Sequence, residues 1–125
     1  MSGYRVLICG SRDWTDQCAI WCILNGYRSD GIGVTVINGG ARGADSIASQ
    51  WADLNGEPCE TYPANWKQHG KAAGPIRNQQ MLDEGKPQEV WAFITKPLES
   101  SRGTYDMVTR ARSAGIPTYV VRGPA

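Results

Sequence analysis

The sequence lacks several features that would place it in a common class of protein. Its 125 residues include one histidine and four cysteines, with no C-x-x-C pair, so the usual zinc-ligand spacings are absent. No hydrophobic run approaches the roughly 20 residues of a membrane span. The first residues have neither the basic start nor the long apolar stretch of a secretion signal. We therefore expect a cytoplasmic protein with no metal site and no membrane partner.

An excess of charge of one sign is also missing. Thirteen lysines and arginines stand against twelve acidic residues, which gives a net charge of +1 and a sequence pI of about 7.6. Proteins that coat duplex nucleic acid usually carry a basic surplus over a whole face. The composition therefore argues against that class, and it remains compatible with a small local basic pocket.

The four cysteines are Cys9, Cys18, Cys22 and Cys59. Two of them lie in or beside apolar strand patterns, and the other two share one face of a helical pattern. We expect all four to be small buried hydrophobic residues in a reducing compartment.

Short apolar runs alternate with helical patterns along the whole chain. The predicted strands cover residues 4–9, 34–38, 59–62, 89–95 and 117–121. The predicted helices begin near residues 16, 44, 76 and 104 and end near residues 25, 55, 84 and 114. This alternation is typical of a parallel sheet wrapped by helices, here in one domain over residues 1–125. Residues 63–75 show no period, and a loop of this length in a compact domain is usually functional.

The segments that follow the predicted strands are rich in glycine and basic residues. Ligands of parallel α/β sheets bind outside the carboxyl ends of the strands. Two of these segments are glycine-bearing turns that lead into a helix N-terminus, which favours anions. Six of the thirteen basic residues lie in such segments: Arg12, Arg42, Lys67, Lys71, Arg77 and Arg102. Because guanidinium groups suit phosphate, we expect a phosphate-bearing, nucleotide-like ligand here.

Two familiar phosphate-binding motifs are absent. Ala41 occupies the second required glycine of a G-x-G-x-x-G fingerprint in residues 39–44, and Ala72 follows Gly70-Lys71 where a P-loop needs serine or threonine.

Four motifs, in order and at sensible spacing, resemble those of the SLOG superfamily, which joins the DprA/Smf proteins to the LOG phosphoribohydrolases. The motifs are Gly10-Ser11-Arg12 with Trp14 and Asp16, Gly39 to Asp45 with Trp51-Ala52, Trp66 and Ala73-Gly74-Pro75-x-Arg77-Asn78 with Met81, and Ser101-Arg102-Gly103-Thr104. The similarity is greatest to the YspA/YpsA-related branch of small single-domain proteins from bacteria and phages.

This resemblance implies a Rossmann-like, three-layer α/β/α fold with a mostly parallel five-stranded sheet, and we expect the strand order 3-2-1-4-5. It implies a nucleotide or nucleotide-derived ligand, identifies no specific cofactor, and makes a homodimer plausible. The candidate ligand-binding residues are Gly10, Ser11, Arg12, Gly39, Gly40, Arg42, Gly43, Asp45, Trp66, Lys71, Arg77, Asn78, Ser101, Arg102, Gly103 and Thr104.

The resemblance also implies two alternatives to simple binding or sensing of a ligand. The first is hydrolysis of nucleoside monophosphates, as in LOG enzymes, with Arg77 and Asp106 as candidate catalytic residues. Met107 stands where those enzymes carry a glutamate, and Asp106 is one residue early, which on a helix turns its carboxylate by about 100°. We therefore favour a protein that is not an enzyme. The second alternative is DprA-like binding of single-stranded nucleic acid, with Trp66 or Tyr105 stacked on a base.

Overall fold

The computed structural model describes residues 3–123, which form a five-stranded sheet between two layers of helices. The elements are, in chain order, β1 (Tyr4–Gly10), α1 (Gln17–Ser29), β2 (Val34–Asn38), α2 (Ala44–Asn55), β3 (Cys59–Thr61), α3 (Trp66–His69), α4 (Ala73–Gly85), β4 (Glu89–Ile94), α5 (Arg102–Ser113) and β5 (Thr118–Arg122). Short 3-10 turns cover Gly70–Ala72 and Leu98–Ser100.

The strand order is β3-β2-β1-β4-β5, and each neighbouring pair is parallel. The predicted fold class and strand order are therefore confirmed, with a sheet that is parallel throughout. The order reverses direction between β1 and β4. The carboxyl ends of these two strands therefore flank the crevice where α/β sheets bind their ligands.

Both faces of the sheet are buried, which explains the continuous apolar runs of the central strands. Val6 and Ile8 of β1 pack with Leu24 of α1 and Trp51 of α2 on one face. The intervening Leu7 and Cys9 pack against residues of α4 and α5, including Met81, Met107 and Val108, on the other. The period of two along β1 thus divides the core into two halves.

Helix α1 is longer than the sequence predicts. It begins after Asp16, whose carboxylate accepts from the Ala19 amide at 3.2 Å, but it continues through Asn25-Gly26 to Ser29. The predicted stop at Asn25 is wrong because this side chain serves a helix–helix contact. Its Oδ1 accepts from the Trp51 indole at 2.7 Å.

The predicted irregular loop over residues 63–75 is largely helical. Asn65 caps α3, since its Oδ1 accepts from the Gln68 amide at 3.0 Å. Helix α4 begins at Ala73 rather than near residue 76. Pro75 is accommodated within its first turn, where a backbone N–H has no partner inside the helix.

The expectation for the cysteines is correct only for Cys9, which is buried between β1 and the α4–α5 layer. Cys18, Cys22 and Cys59 are exposed. The cysteines on α1 lie on the face of the helix that points away from the sheet, and β3 is an edge strand with little cover. Across residues 3–123, no helix combines the length and the hydropathy needed to cross a membrane.

Candidate functional site

Two adjoining clefts lie at the carboxyl edge of the sheet. The first cleft has a volume of about 470 Å³ and opens between the ends of β1 and β4 and the first turn of α5. Its lining residues are Cys9, Gly10, Ser11, Arg12, Asp13, Ala41, Asp45, Trp66, Gly74, Arg77, Asn78, Met81, Thr95, Lys96, Ser100, Ser101, Arg102, Gly103, Thr104 and Met107.

The second cleft, of about 290 Å³, lies beside the first toward β2 and β3. Its lining residues are Arg12, Gly39, Gly40, Ala41, Arg42, Pro63, Ala64, Trp66 and Arg77. Between them, the two clefts bring together 14 of the 16 predicted ligand-binding residues, the exceptions being Gly43 and Lys71.

Ser11 joins three elements at the rim of the first cleft. Its amide donates to the Phe93 carbonyl of β4 at 2.8 Å, and its carbonyl accepts from the Ala44 amide of α2 at 3.4 Å. Its Oγ accepts from the Thr95 amide at 3.0 Å. The predicted Gly10-Ser11-Arg12 motif therefore fixes the rim, and the Ser11 hydroxyl proton remains available as a donor.

Two glycines of the rim are required by close packing. At Gly10 (φ 151°) a Cβ would overlap the carbonyl oxygen of Phe93. At Gly43 (φ 75°) a Cβ would overlap the carbonyl oxygen of Ser11. Gly43 lines neither cleft, so its contribution is to bring the start of α2 against the end of β1.

The backbone amides of the turn over residues 39–41 are already paired with side chains of the protein. Asp45 Oδ2 accepts from the amides of Gly39 at 2.8 Å and Ala41 at 3.4 Å. Asn38 Oδ1 accepts from the Gly40 amide at 2.8 Å. These amides therefore hold Asp45 and Asn38 in place. A ligand at this turn would contact the backbone atoms of the glycines and would find no free N–H group among these three residues.

Asp45 is a buried carboxylate, 5% exposed, in the wall of the first cleft. Burial raises the pKa of this group to about 6 from a usual value of 3.8. The two backbone amides and the nearby guanidinium groups of Arg77 and Arg12 oppose this shift without cancelling it. Asp45 is thus a poorly solvated charge among cations at neutral pH.

Arg77 of α4 is held in the wall between the clefts. Its Nη1 donates to the carbonyls of Gly39 at 2.9 Å and Tyr62 at 3.3 Å, and its Nε donates to Asn78 Oδ1 at 3.0 Å. Burial lowers the pKa of Arg77, and Asp45 counteracts this effect. Within residues 3–123 no hydrogen bond uses Nη2, so one arm of the fork is available to a ligand.

Asn78 lines the first cleft but spends its amide group on the protein. It is 3% exposed, and its Nδ2 donates to the Gly103 carbonyl at 3.1 Å and to Asp106 Oδ2 at 3.0 Å. Asn78 therefore positions the first turn of α5 against α4.

The first turn of α5 presents polar groups to the first cleft. Ser101 precedes the helix, and its side chain makes no capping hydrogen bond. In the described part of the chain, the hydroxyls of Ser101 and Thr104 form no hydrogen bond, and the first backbone N–H group with an acceptor is that of Tyr105, which donates to the Ser101 carbonyl. The N–H groups at residues 102–104 are thus free to meet an anion.

Five cations line the two clefts: Arg12, Arg42, Arg77, Lys96 and Arg102. Two carboxylates, Asp13 and Asp45, line the first cleft only. Among residues 3–123, ion pairs involve Arg5, Arg28 and Arg110, and none involves a cation of the clefts. The clefts therefore carry a net positive charge on a chain that is almost neutral.

Met107 lies in the lining of the first cleft, and Asp106 does not. The Asp106 carboxylate pairs with Arg110 at 2.8 Å and accepts from Asn78. The helical turn of about 100° between neighbouring residues thus places Met107, which is also part of the core, in the wall of the cleft and directs the Asp106 carboxylate along the α4–α5 contact.

The aromatic and lysine candidates lie in different places. Trp66, 53% exposed, lines both clefts, and its ring lies against Gly74. Lys67 on α3 and Lys71 in the following 3-10 turn are exposed and line neither cleft. Trp14, which belongs to the first of the four motifs, is buried against Phe93 with ring centroids 5.4 Å apart.

Four polar residues of the first cleft were missed from the sequence: Asp13, Thr95, Lys96 and Ser100. Thr95 Oγ1 donates to Asp13 Oδ1 at 2.8 Å, which links the segments after β1 and β4. The sequence does carry a signal for two of them, because Thr95 ends the predicted strand over residues 89–95 and Lys96 directly follows it.

Comparison with known proteins relates the chain to one family. The model of the YspA, cpYpsA-related SLOG family matches residues 4–69, slightly more than half of the chain. The Gene 61 protein of Mycobacterium phage D29 is 39% identical over 120 residues, which cover 90% of this chain and 92% of the phage protein.

A solved structure has the same fold. The X-ray structure of DNA processing protein A (DprA) from Streptococcus pneumoniae superposes with a TM-score of 0.74 at 18% identity. The match covers 97% of this chain and 51% of that one, so the chain spans about half the length of DprA. The likeness is therefore one of fold.

Proposed function

Since the chain belongs to the YspA, cpYpsA-related SLOG family, we propose that it binds a nucleotide-derived ligand through a phosphate group in the first cleft. The observation that carries this proposal is the set of cations that form no ion pair within residues 3–123, around a cleft where the strand order of the sheet reverses. A cleft at the edge of the sheet with a surplus of positive charge favours an anionic ligand. Its volume is within the range of small-molecule pockets, roughly 300–1,000 Å³.

We propose that the phosphate binds at the first turn of α5. Arg102 is exposed there and forms no ion pair within residues 3–123. The N–H groups of residues 102–104 and the hydroxyls of Ser101 and Thr104 supply further hydrogen-bond donors on the same side of the first cleft. Each charge-assisted hydrogen bond from a guanidinium to phosphate contributes about 1.5–3 kcal/mol. Trp66 supplies an aromatic surface for a base beside it.

Binding without hydrolysis is the favoured form of this function. The position that a catalytic carboxylate would need in the first cleft holds the thioether of Met107, which neither takes up a proton nor stabilises a cationic sugar. Asp106 is engaged with Arg110 and Asn78.

Single-stranded nucleic acid is the second candidate ligand. The exposed indole of Trp66 between cations supports it, because aromatic stacking contributes about 1–3 kcal/mol per base. The protein with the similar fold, from Streptococcus pneumoniae, is a DNA processing protein by name.

The test is calorimetric titration with AMP, ADP-ribose and a single-stranded oligonucleotide. Arg102→Ala should weaken binding of the bound nucleotide by about tenfold or more. Arg112→Ala is the matched control, because Arg112 is exposed at the opposite end of the same helix and should leave affinity unchanged. Equal affinities of the wild type and Arg102→Ala would contradict the phosphate position. Preference for the oligonucleotide with a steep loss of affinity in salt would favour the second candidate.

A further inference from the structure

The two clefts are continuous along one wall. Arg12, Ala41, Trp66 and Arg77 line both of them, so a ligand in the first cleft contacts residues that also face the second. The first cleft is large enough for a small molecule by itself, and the second adds about 290 Å³ beside it. A ligand of the first cleft therefore has room to extend past Trp66.

The second cleft has an unusual balance of charge. Its charged lining residues are Arg12, Arg42 and Arg77, with no carboxylate among the residues that the structure describes there. Arg42 lines only this cleft, is exposed, and takes part in no ion pair within residues 3–123. Asp45 offsets part of the charge of Arg12 and Arg77, whereas Arg42 has no ion-pair partner among residues 3–123, so this cleft favours a second anion near Arg42.

The cations also separate into groups. Lys96 and Arg102 line only the first cleft, Arg42 lines only the second, and Arg12 and Arg77 stand in the shared wall. A single phosphate in the first cleft leaves Arg42 without a partner. Two phosphates joined by one bridging oxygen form a compact group, and we expect this group to bind within the first cleft and to leave Arg42 unused as well.

The floor of the second cleft is bare backbone. At Gly40 (φ 73°) a Cβ would come within 2.9 Å of Thr61 Cγ2, and at Gly39 it would overlap the Arg77 guanidinium. Because the amides of both residues are paired with Asn38 and Asp45, recognition in this cleft depends on the arginines and on the indole of Trp66.

We propose that the ligand spans both clefts and carries two phosphate groups separated by a sugar, one at Arg102 and the other at Arg42. This inference rests on the proposed function, because it takes the first phosphate as placed above. The chemistry is shared by a 5′-phosphorylated dinucleotide and by the 5′-phosphorylated end of a single strand. Trp66, in the shared wall, is placed to stack on a base between the two phosphates.

The experiment compares AMP, ADP and the 5′-phosphorylated dinucleotide pApA by calorimetry on the full chain. We expect pApA to bind about tenfold or more tightly than AMP, and ADP to gain much less. Arg42→Ala should reduce the affinity for pApA to about that for AMP and leave AMP binding unchanged. Arg102→Ala should weaken both ligands, and Arg112→Ala should affect neither.

The possible outcomes distinguish a failure of the spanning ligand from a failure of the proposed function. If AMP binds in an Arg102-dependent manner but pApA gains nothing, or if Arg42→Ala weakens AMP and pApA equally, the spanning ligand is wrong and the proposed function stands. If ADP matches pApA and shows the same dependence on Arg42, the spacing by a sugar is wrong. If no nucleotide binds, the proposed function fails as well.

A longer strand identifies the source of the ligand. An oligonucleotide of about eight adenylates with a 5′-phosphate should bind as tightly as pApA if the physiological ligand is a dinucleotide. A further gain in affinity, with steep salt dependence, would identify the end of a strand. Both results support a ligand that occupies the two clefts.

Discussion

Replacement of Asp45 by asparagine should stabilise the protein at neutral pH. Both backbone hydrogen bonds at this side chain, from Gly39 and Ala41, go to the same oxygen, Oδ2. An asparagine therefore keeps them through its single Oδ1. What it removes is a buried negative charge whose desolvation outweighs its attraction to Arg77 and Arg12.

The magnitude follows from the pKa. Asp45 has a pKa of about 6 in the folded protein against 3.8 as its usual value. Protonated Asp45 thus favours the folded state fully below pH 3.8, and this contribution is lost as the pH rises through about 6. A shift of roughly two units corresponds to about 3 kcal/mol, which is the upper limit of the gain expected from Asp45→Asn at pH 8.

The assay is chemical denaturation of the wild type and Asp45→Asn at pH 8 and pH 5. The difference in their free energies of unfolding should shrink by about 1.4 kcal/mol at the lower pH, because the wild type recovers part of the lost stability. Taking the difference cancels the titration of other groups. Asp53→Asn, an exposed change of equal charge on the same helix, is the control and should show no such trend. The reasoning would be refuted if Asp45→Asn had a lower free energy of unfolding than the wild type, by the same amount at both pH values.

Three further predictions concern the clefts. Arg77→Ala should lower the free energy of unfolding by about 1–3 kcal/mol, because it leaves the Gly39 carbonyl without its guanidinium donor, and unchanged denaturation would contradict this role. The wild type should release no adenine from AMP in a chromatographic assay, since Met107 occupies the place of a catalytic carboxylate, and measurable release would restore the hydrolase alternative. Any hydrolysis gained by Met107→Glu would indicate that the rest of such a site is present. Amides of residues 66–74 should exchange more slowly with AMP bound, because Trp66 lines both clefts, whereas equal exchange would show that this segment is a fixed part of the wall.

The fold was predictable because its signals are local. A continuous apolar run such as residues 34–38 marks a strand covered on both faces, and the alternation with helices marks parallel pairing. The end of α1 was not predictable, because Asn25-Gly26 is a typical helix stop when only the neighbouring sequence is considered. The contact that overrides it, from the indole of Trp51, joins residues 26 positions apart.

The site was predictable in its composition and only partly in its roles. The arginines after the strands were found because they serve no packing pattern, and the directions of Asp106 and Met107 follow from helix geometry. The pairing of Asp45 with the turn before it was not predictable, because a carboxylate at a helix start reads equally as a ligand contact. Lys71 was assigned to the ligand from its place in a loop, and the loop folds into helical turns that leave it outside both clefts.

The hydrogen bonds of Ser11 have a consequence for how a ligand would be received. One residue ties the ends of β1 and β4 and the start of α2 to one another through backbone groups. The conformational entropy of this rim is therefore lost when the chain folds, and little remains to be lost on association. Because of these bonds, we expect the rim to open only when the central sheet unfolds. Its amides, including that of Thr95, should therefore exchange with solvent through global unfolding. The groups that become ordered when a ligand binds are then mainly the exposed arginine side chains.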